Sequence, residues 1–99
     1  MSSGVQRTVR GAFTGTGAEL QVRTVGFRPR AVKLVNRGGL ATAEWQEGMP
    51  DASMSKRVTA GTMTFPTSDG ITPLSDGFQL GADTDMNVAG ELVYYEAVE

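Results

Sequence analysis

Histidine and cysteine are both missing from this chain. Their absence excludes Ser-His-Asp and Cys-His catalysis, zinc sites built from imidazole and thiolate, and any disulfide. Nothing in the chain therefore points to an oxidising compartment. Long apolar runs are missing too. No stretch approaches the length of a membrane helix, and Met1-Ser2-Ser3-Gly4 opens no signal-peptide hydrophobic region, so no membrane partner is expected. Helical spacing is scarce. The longest candidate, Thr42 to Met49, contains Trp45 and stops at Gly48, with helix the minority reading. Trp45 is the single tryptophan, and it reads as a core or subunit-interface anchor before it reads as a stacking platform.

What the chain has in quantity is glycine, 13 residues, together with many Thr and Val. That mixture favours short strands and tight turns. Its 99 residues suit one domain, which would bury roughly 60–65% of its unfolded surface. Such a core is thin, and association of copies would add stability. Residues 1–6 read as a loose arm and residues 7–99 as the domain.

The densest strand signal runs from Gly26 to Asn36. Val32 and Leu34 share one face, Lys33 and Val35 the other, and Pro29 belongs at the strand entrance or edge. Val35 calls for cover of its own, from a partner or from a fold in the strand. Before this segment, Thr8 to Thr14 and Glu19 to Val25 read as two strands joined at Gly15-Thr16-Gly17, a hairpin. After it come Thr42 to Glu47, a segment at Met54 to Val58 with a short strand available at Arg57 to Ala60, then Thr62 to Phe65, Ile71 to Leu74, Phe78 to Gly81, and Glu91 to Ala97. The last has Leu92 and Tyr94 on one face and Val93 and Tyr95 on the other, which suits cover on both sides. About eight short strands at this spacing predict an all-β fold, a single compact antiparallel β-sandwich or barrel-like domain.

Charge is unevenly placed. Residues 1–37 hold Arg7, Arg10, Arg23, Arg28, Arg30, Lys33 and Arg37 against Glu19 alone, a net +6; residues 38–99 hold Lys56 and Arg57 against ten acids, a net −8. Three readings follow. The charges are solvated faces, or a dipolar subunit sets its basic side on an acidic neighbour, such as a copy of itself. The third is nucleic-acid binding, and it is the weakest. The whole chain is acidic, and the basic third has no aromatic interleaving beyond Phe13 and Phe27.

Catalytic patterns are thin. Ser55-Lys56 pairs in name only, because neighbours on a strand point to opposite faces. Asp83, Asp85 and Asn87 repeat the first three oxygen positions of a calcium loop, but Val88 stands where glycine is needed and Tyr94 where the bidentate Glu would be. A solvated turn is the expectation there. The glycine pairs lack a following helix and lysine, so nothing cradles phosphate. No enzyme activity, cofactor or metal is expected.

One resemblance emerges. Gly26-Phe27-Arg28-Pro29 with Val32 to Asn36, Ala43-Glu44-Trp45 with Gly48-Met49, Gly70-Ile71-Thr72-Pro73, Gly77-Phe78-Gln79-Leu80-Gly81 and Leu92-Val93-Tyr94-Tyr95-Glu96-Ala97 together resemble small virion proteins of tailed bacteriophages. The resemblance implies a β-sandwich subunit of the particle, of the capsid decoration (cement) type, or a head-fibre or tail-associated module. It implies the major capsid protein as partner, a homo-oligomer (trimer or dimer), residence in the virion after assembly in the host cytoplasm, and no catalytic residues. The contact candidates are Arg7 and Arg10 beside the arm, the basic run Arg28, Arg30 and Arg37, the apolar Met49 and Met54 taken as exposed, and the aromatics Trp45, Tyr94 and Tyr95. The competing reading is a receptor- or carbohydrate-binding module, which would use the same three aromatics as its platform.

Overall fold

The computed structural model describes residues 7–58 and 61–99. The expected arm, residues 1–6, and the end of the short strand expected at Arg57 to Ala60 lie outside the described residues. Among those described there is no helix. Nine strands form, all paired antiparallel: β1 (Thr8–Thr14), β2 (Leu20–Val22), β3 (Ala31–Asn36), β4 (Ala41–Gln46), β5 (Ser55–Arg57), β6 (Met63–Thr64), β7 (Ile71–Leu74), β8 (Gly77–Leu80) and β9 (Leu92–Val98). A six-stranded sheet runs β1-β9-β3-β4-β5-β6, and a three-stranded sheet runs β2-β8-β7. The all-β expectation holds, as two packed sheets and not a closed barrel: among the described residues β1 and β6 are the outermost strands of the larger sheet.

Alternation sets the inner face. Val32, Leu34 and Asn36 of β3, Ala41, Ala43 and Trp45 of β4, and Val93, Tyr95 and Ala97 of β9 are buried, and their neighbours point out. Opposite them, Phe78, Leu80 and Ile71 of the smaller sheet are fully buried. Three rings join the layers. Phe78 meets Tyr95 edge-on at 5.4 Å between centroids and Phe13 at 6.2 Å, the separations at which ring quadrupoles attract.

Gly11 and Gly77 are glycines because of close approach. A Cβ on Gly11 would stand 2.7 Å from the Tyr95 hydroxyl oxygen, and one on Gly77 would overlap the Val22 carbonyl. β8 can pair with β2 only because position 77 has no side chain.

The hairpin expected between β1 and β2 does not form. β1 pairs with β9, and β2 pairs with β8 in the other sheet. The reason lies at the turn. Gly15 N–H donates to the Glu91 carbonyl, while the Thr16 and Gly17 amides both donate to Asn87 Oδ1. A side chain 70 residues away takes the donors that a hairpin would have used, and the chain crosses between layers instead. The strand expected from Gly26 begins at Ala31. Gly26 sits at a φ of 89° with its N–H on the Asp76 carbonyl, so Gly26 to Arg30 is an irregular crossing and Pro29 stands just outside the strand.

Candidate functional site

The charge asymmetry of the sequence is largely cancelled by folding. Arg7 pairs with Glu99, Arg10 with Glu96, Arg23 with Asp76 and Arg30 with Glu47. The acidic partner of the basic third is, for four of its seven cations, the remainder of the same chain. Arg7 also lies over the Phe27 ring, 4.9 Å from its centroid, and its hydrogen bonds hold the Glu99 carboxyl below the usual carboxylate range. Arg28 donates to the Pro73 carbonyl at 3.4 Å. Arg28, Lys33 and Arg37 make no ion pair among the described residues.

The aromatic and methionine candidates divide. Trp45 is buried, with its indole N–H donating to the Pro50 carbonyl at 3.1 Å; of its two expected roles it takes the core anchor. Tyr95 is buried in the ring cluster. Met54, taken as exposed, is fully buried, because its N–H docks on the Pro66 carbonyl and its side chain turns into the core. Met49 is half-buried against the core, and its sulfur accepts from the Gln46 amide. Of the three aromatics only Tyr94 is exposed, so a glycan platform loses two of its three rings.

The segment 83–87 is no solvated turn. Asp83 and Asn87 are buried. Asp83 Oδ1 and Asp85 Oδ2 accept from the Lys56 ammonium at 2.8 and 2.7 Å, and Asp83 Oδ2 accepts the amides of Asp85 and Met86. Burial alone would lower the Lys56 pKa. The bonds to Asp83 and then Asp85 outweigh that and raise it, so the ammonium stays charged. The calcium-like spacing thus serves an internal cation. Asn87 completes the lock by donating to the Ala18 and Gly81 carbonyls. Asn36, the buried last residue of β3, donates to the Asp85 carbonyl and Glu91 Oε1 and accepts from the Gly39 amide. Among the described residues no buried side-chain polar atom lacks a partner, so these groups are already engaged within the fold.

Chemistry that faces outward lies on the loops and on the outer sheet face. Leu40, in the turn between β3 and β4, is 64% exposed at a φ of 52°. Beside it Arg37 lines a shallow recess of about 470 Å3. Phe65 is 67% exposed at the rim of a second recess, about 460 Å3, lined by Met49, Pro50 and Pro66. The outer face of the large sheet carries three rows set by the register. Thr8, Val98, Ala31 and Gln46 form one; Arg10, Glu96, Lys33 and Glu44 the next; Ala12, Tyr94, Val35 and Thr42 the third. Val35 and Tyr94, whose strands were expected to be covered on both sides, are 41% and 44% exposed in the single chain. Sequence reasoning missed Leu40, Phe65 and the middle row. Each strand's outward residues were readable, but which of them stand side by side depends on strand order.

Comparison of the chain with family models, with curated proteins and with solved structures finds no match.

Proposed function

We propose that this protein is a structural subunit of a tailed-bacteriophage particle, attached to the outside of the capsid as a decoration protein that stabilises the shell by bridging neighbouring major capsid subunits. Support comes from the sequence resemblance, from the all-β two-sheet fold, and from the way the most site-like polar residues are consumed by internal bonds. The observation that carries the reading is Leu40. A leucine in the left-handed region costs roughly 1–2 kcal/mol relative to its ordinary backbone, and here it also holds an apolar side chain in water. For folding alone, Gly or Asn would serve better at that turn. A residue that is unfavourable in both respects fits a surface that must adhere.

Leu40 with Arg37 at one turn, and Phe65 over the Met49 recess at another, would press apolar side chains and one cation onto adjoining shell subunits. Each contact is weak, but repetition over the particle multiplies them, and binding to the mature shell stabilises it by mass action. The test is co-sedimentation with expanded shells of a tailed-phage major capsid protein from the same genome, with shell melting followed in parallel. Stoichiometric binding and a higher shell melting temperature are expected. Leu40→Gly should leave the free protein as stable or stabler while weakening shell binding about tenfold, which corresponds to roughly 1.4 kcal/mol. Binding unaffected by Leu40→Gly and by Arg37→Glu, or no binding at all, would remove the basis for this assignment.

A further inference from the structure

The outer face of the six-stranded sheet is complementary to itself, and we infer that two copies of this chain pack through it about a two-fold axis parallel to the strands, between β9 and β3. The inference does not depend on the virion reading, since it uses only the rows of that face.

The middle row reads Arg10, Glu96, Lys33, Glu44 across four adjacent strands, alternating in sign at every step. A two-fold axis parallel to the strands reverses the row. Arg10 then faces Glu44 of the second copy, and Glu96 faces Lys33, each pair occurring twice. The flanking rows obey the same axis: Tyr94 falls on Val35, and Val98 on Ala31, so apolar meets apolar. The other in-plane two-fold, running along the row, would place every charge on its own copy, with Arg10 on Arg10 and Glu96 on Glu96. Like charges juxtaposed without solvent cost several kcal/mol in general, so the face accepts one axis and rejects the other. Both axes give sheets aligned as in ordinary sandwich packing, so the charges alone choose between them.

Cross-strand attraction within one chain explains part of the row. Arg10 and Glu96 form an ion pair at 3.1 Å. It does not explain Lys33 and Glu44, which make no ion pair among the described residues of the single chain, or the exposure of Tyr94 and Val35 on two central strands. Burial against a second copy accounts for all four. Strand spacing and rise give a footprint of about 20 by 20 Å, below the roughly 800 Å2 per partner of a standard interface. The dimer should therefore be weak, with a dissociation constant on the order of 10–100 μM.

The axis can be tested by charge exchange, with sedimentation equilibrium up to about 1 mM, well above that range. Lys33→Glu alone and Glu96→Lys alone each create two like-charge contacts and should weaken self-association at least about tenfold. An equimolar mixture of the two variants restores both attractive pairs in the heterodimer, and association should return to near the parent level. Circular dichroism melts of each variant report whether the chain remains folded. Val35→Thr, which keeps strand propensity but removes apolar area, serves as an uncharged check and should weaken the dimer without unfolding it. A chain that stays monomeric to that concentration, a trimer, a dimer indifferent to both charge changes, or single variants that fail to rescue each other would overturn the inference. The first of these outcomes would leave the face to a different protein.

Discussion

Replacing Lys56 by methionine tests the buried lock directly. The thioether fills nearly the volume of the lysine stem, so packing changes little while the charge is lost. Asp83 then keeps its two backbone amide bonds but loses the ammonium 2.8 Å from its other oxygen, inside a site where its side chain is 7% exposed. Stripping one partner from a fully buried ion pair costs 3–5 kcal/mol. The retained amides offset part of that, and Asp85, 41% exposed, can turn to water. A loss of about 2–4 kcal/mol is expected, a large share of the stability of a domain this size. Urea unfolding followed by fluorescence of Trp45, the single and buried tryptophan, measures it, with the denaturant slope unchanged. Lys56→Met with Asp83→Asn should recover part of the loss, because no charge is then left buried.

The same pair makes a pH prediction. The folded-state pKa of Lys56 is raised, the bonds to Asp83 and Asp85 outweighing burial. Its stabilisation is therefore complete below the ordinary lysine value of about 10.4 and disappears as pH rises through the higher folded value. The gap between the parent and Lys56→Met should therefore narrow as pH rises above about 10.4. A loss under about 1 kcal/mol, the range of a solvent-exposed pair, would refute the reasoning.

Three further outcomes are expected. Phe78→Ala removes the ring that joins both sheets at a fully buried position and should cost about 3–5 kcal/mol in chemical denaturation, whereas Phe78→Leu should cost distinctly less. Gly77→Ala places a methyl group on the Val22 carbonyl; it should separate β2 from β8 and lower the melting temperature more than Gly48→Ala, where nothing lies within 4 Å of the added carbon and the penalty is confined to its positive φ. The Glu99 carboxyl, held down mainly by its hydrogen bond from Arg7, should titrate below an ordinary glutamate by NMR and return toward normal in Arg7→Gln; its contribution to stability is present above the ordinary glutamate range and is lost as pH falls through the lowered value.

Alternation of side chains along the chain was enough to read the β class, the inner faces of β3 and β4, and the punctuation at Pro29, Gly48 and Gly70, while the two apolar faces of β9 left its inner side undecided. It was enough because the period of two is a local property, set by backbone geometry residue by residue. Pairing is not local. Whether β1 joins β2 or β9 was decided by Asn87, which captures the turn amides from the far end of the chain, and by the tight contact of Gly77 with Val22. The fate of the charges was decided in the same way. A +6 segment and a −8 segment look like surfaces for two different partners until the register brings Arg10 to Glu96 and the fold brings Arg7 to Glu99. Asp83 and Asp85 carry the spacing of a cation loop, and only the return of β5 beneath them shows that the cation is Lys56. Local geometry chose which side chains point inward; which ones meet depended on contacts that exist only after the two sheets have closed on each other.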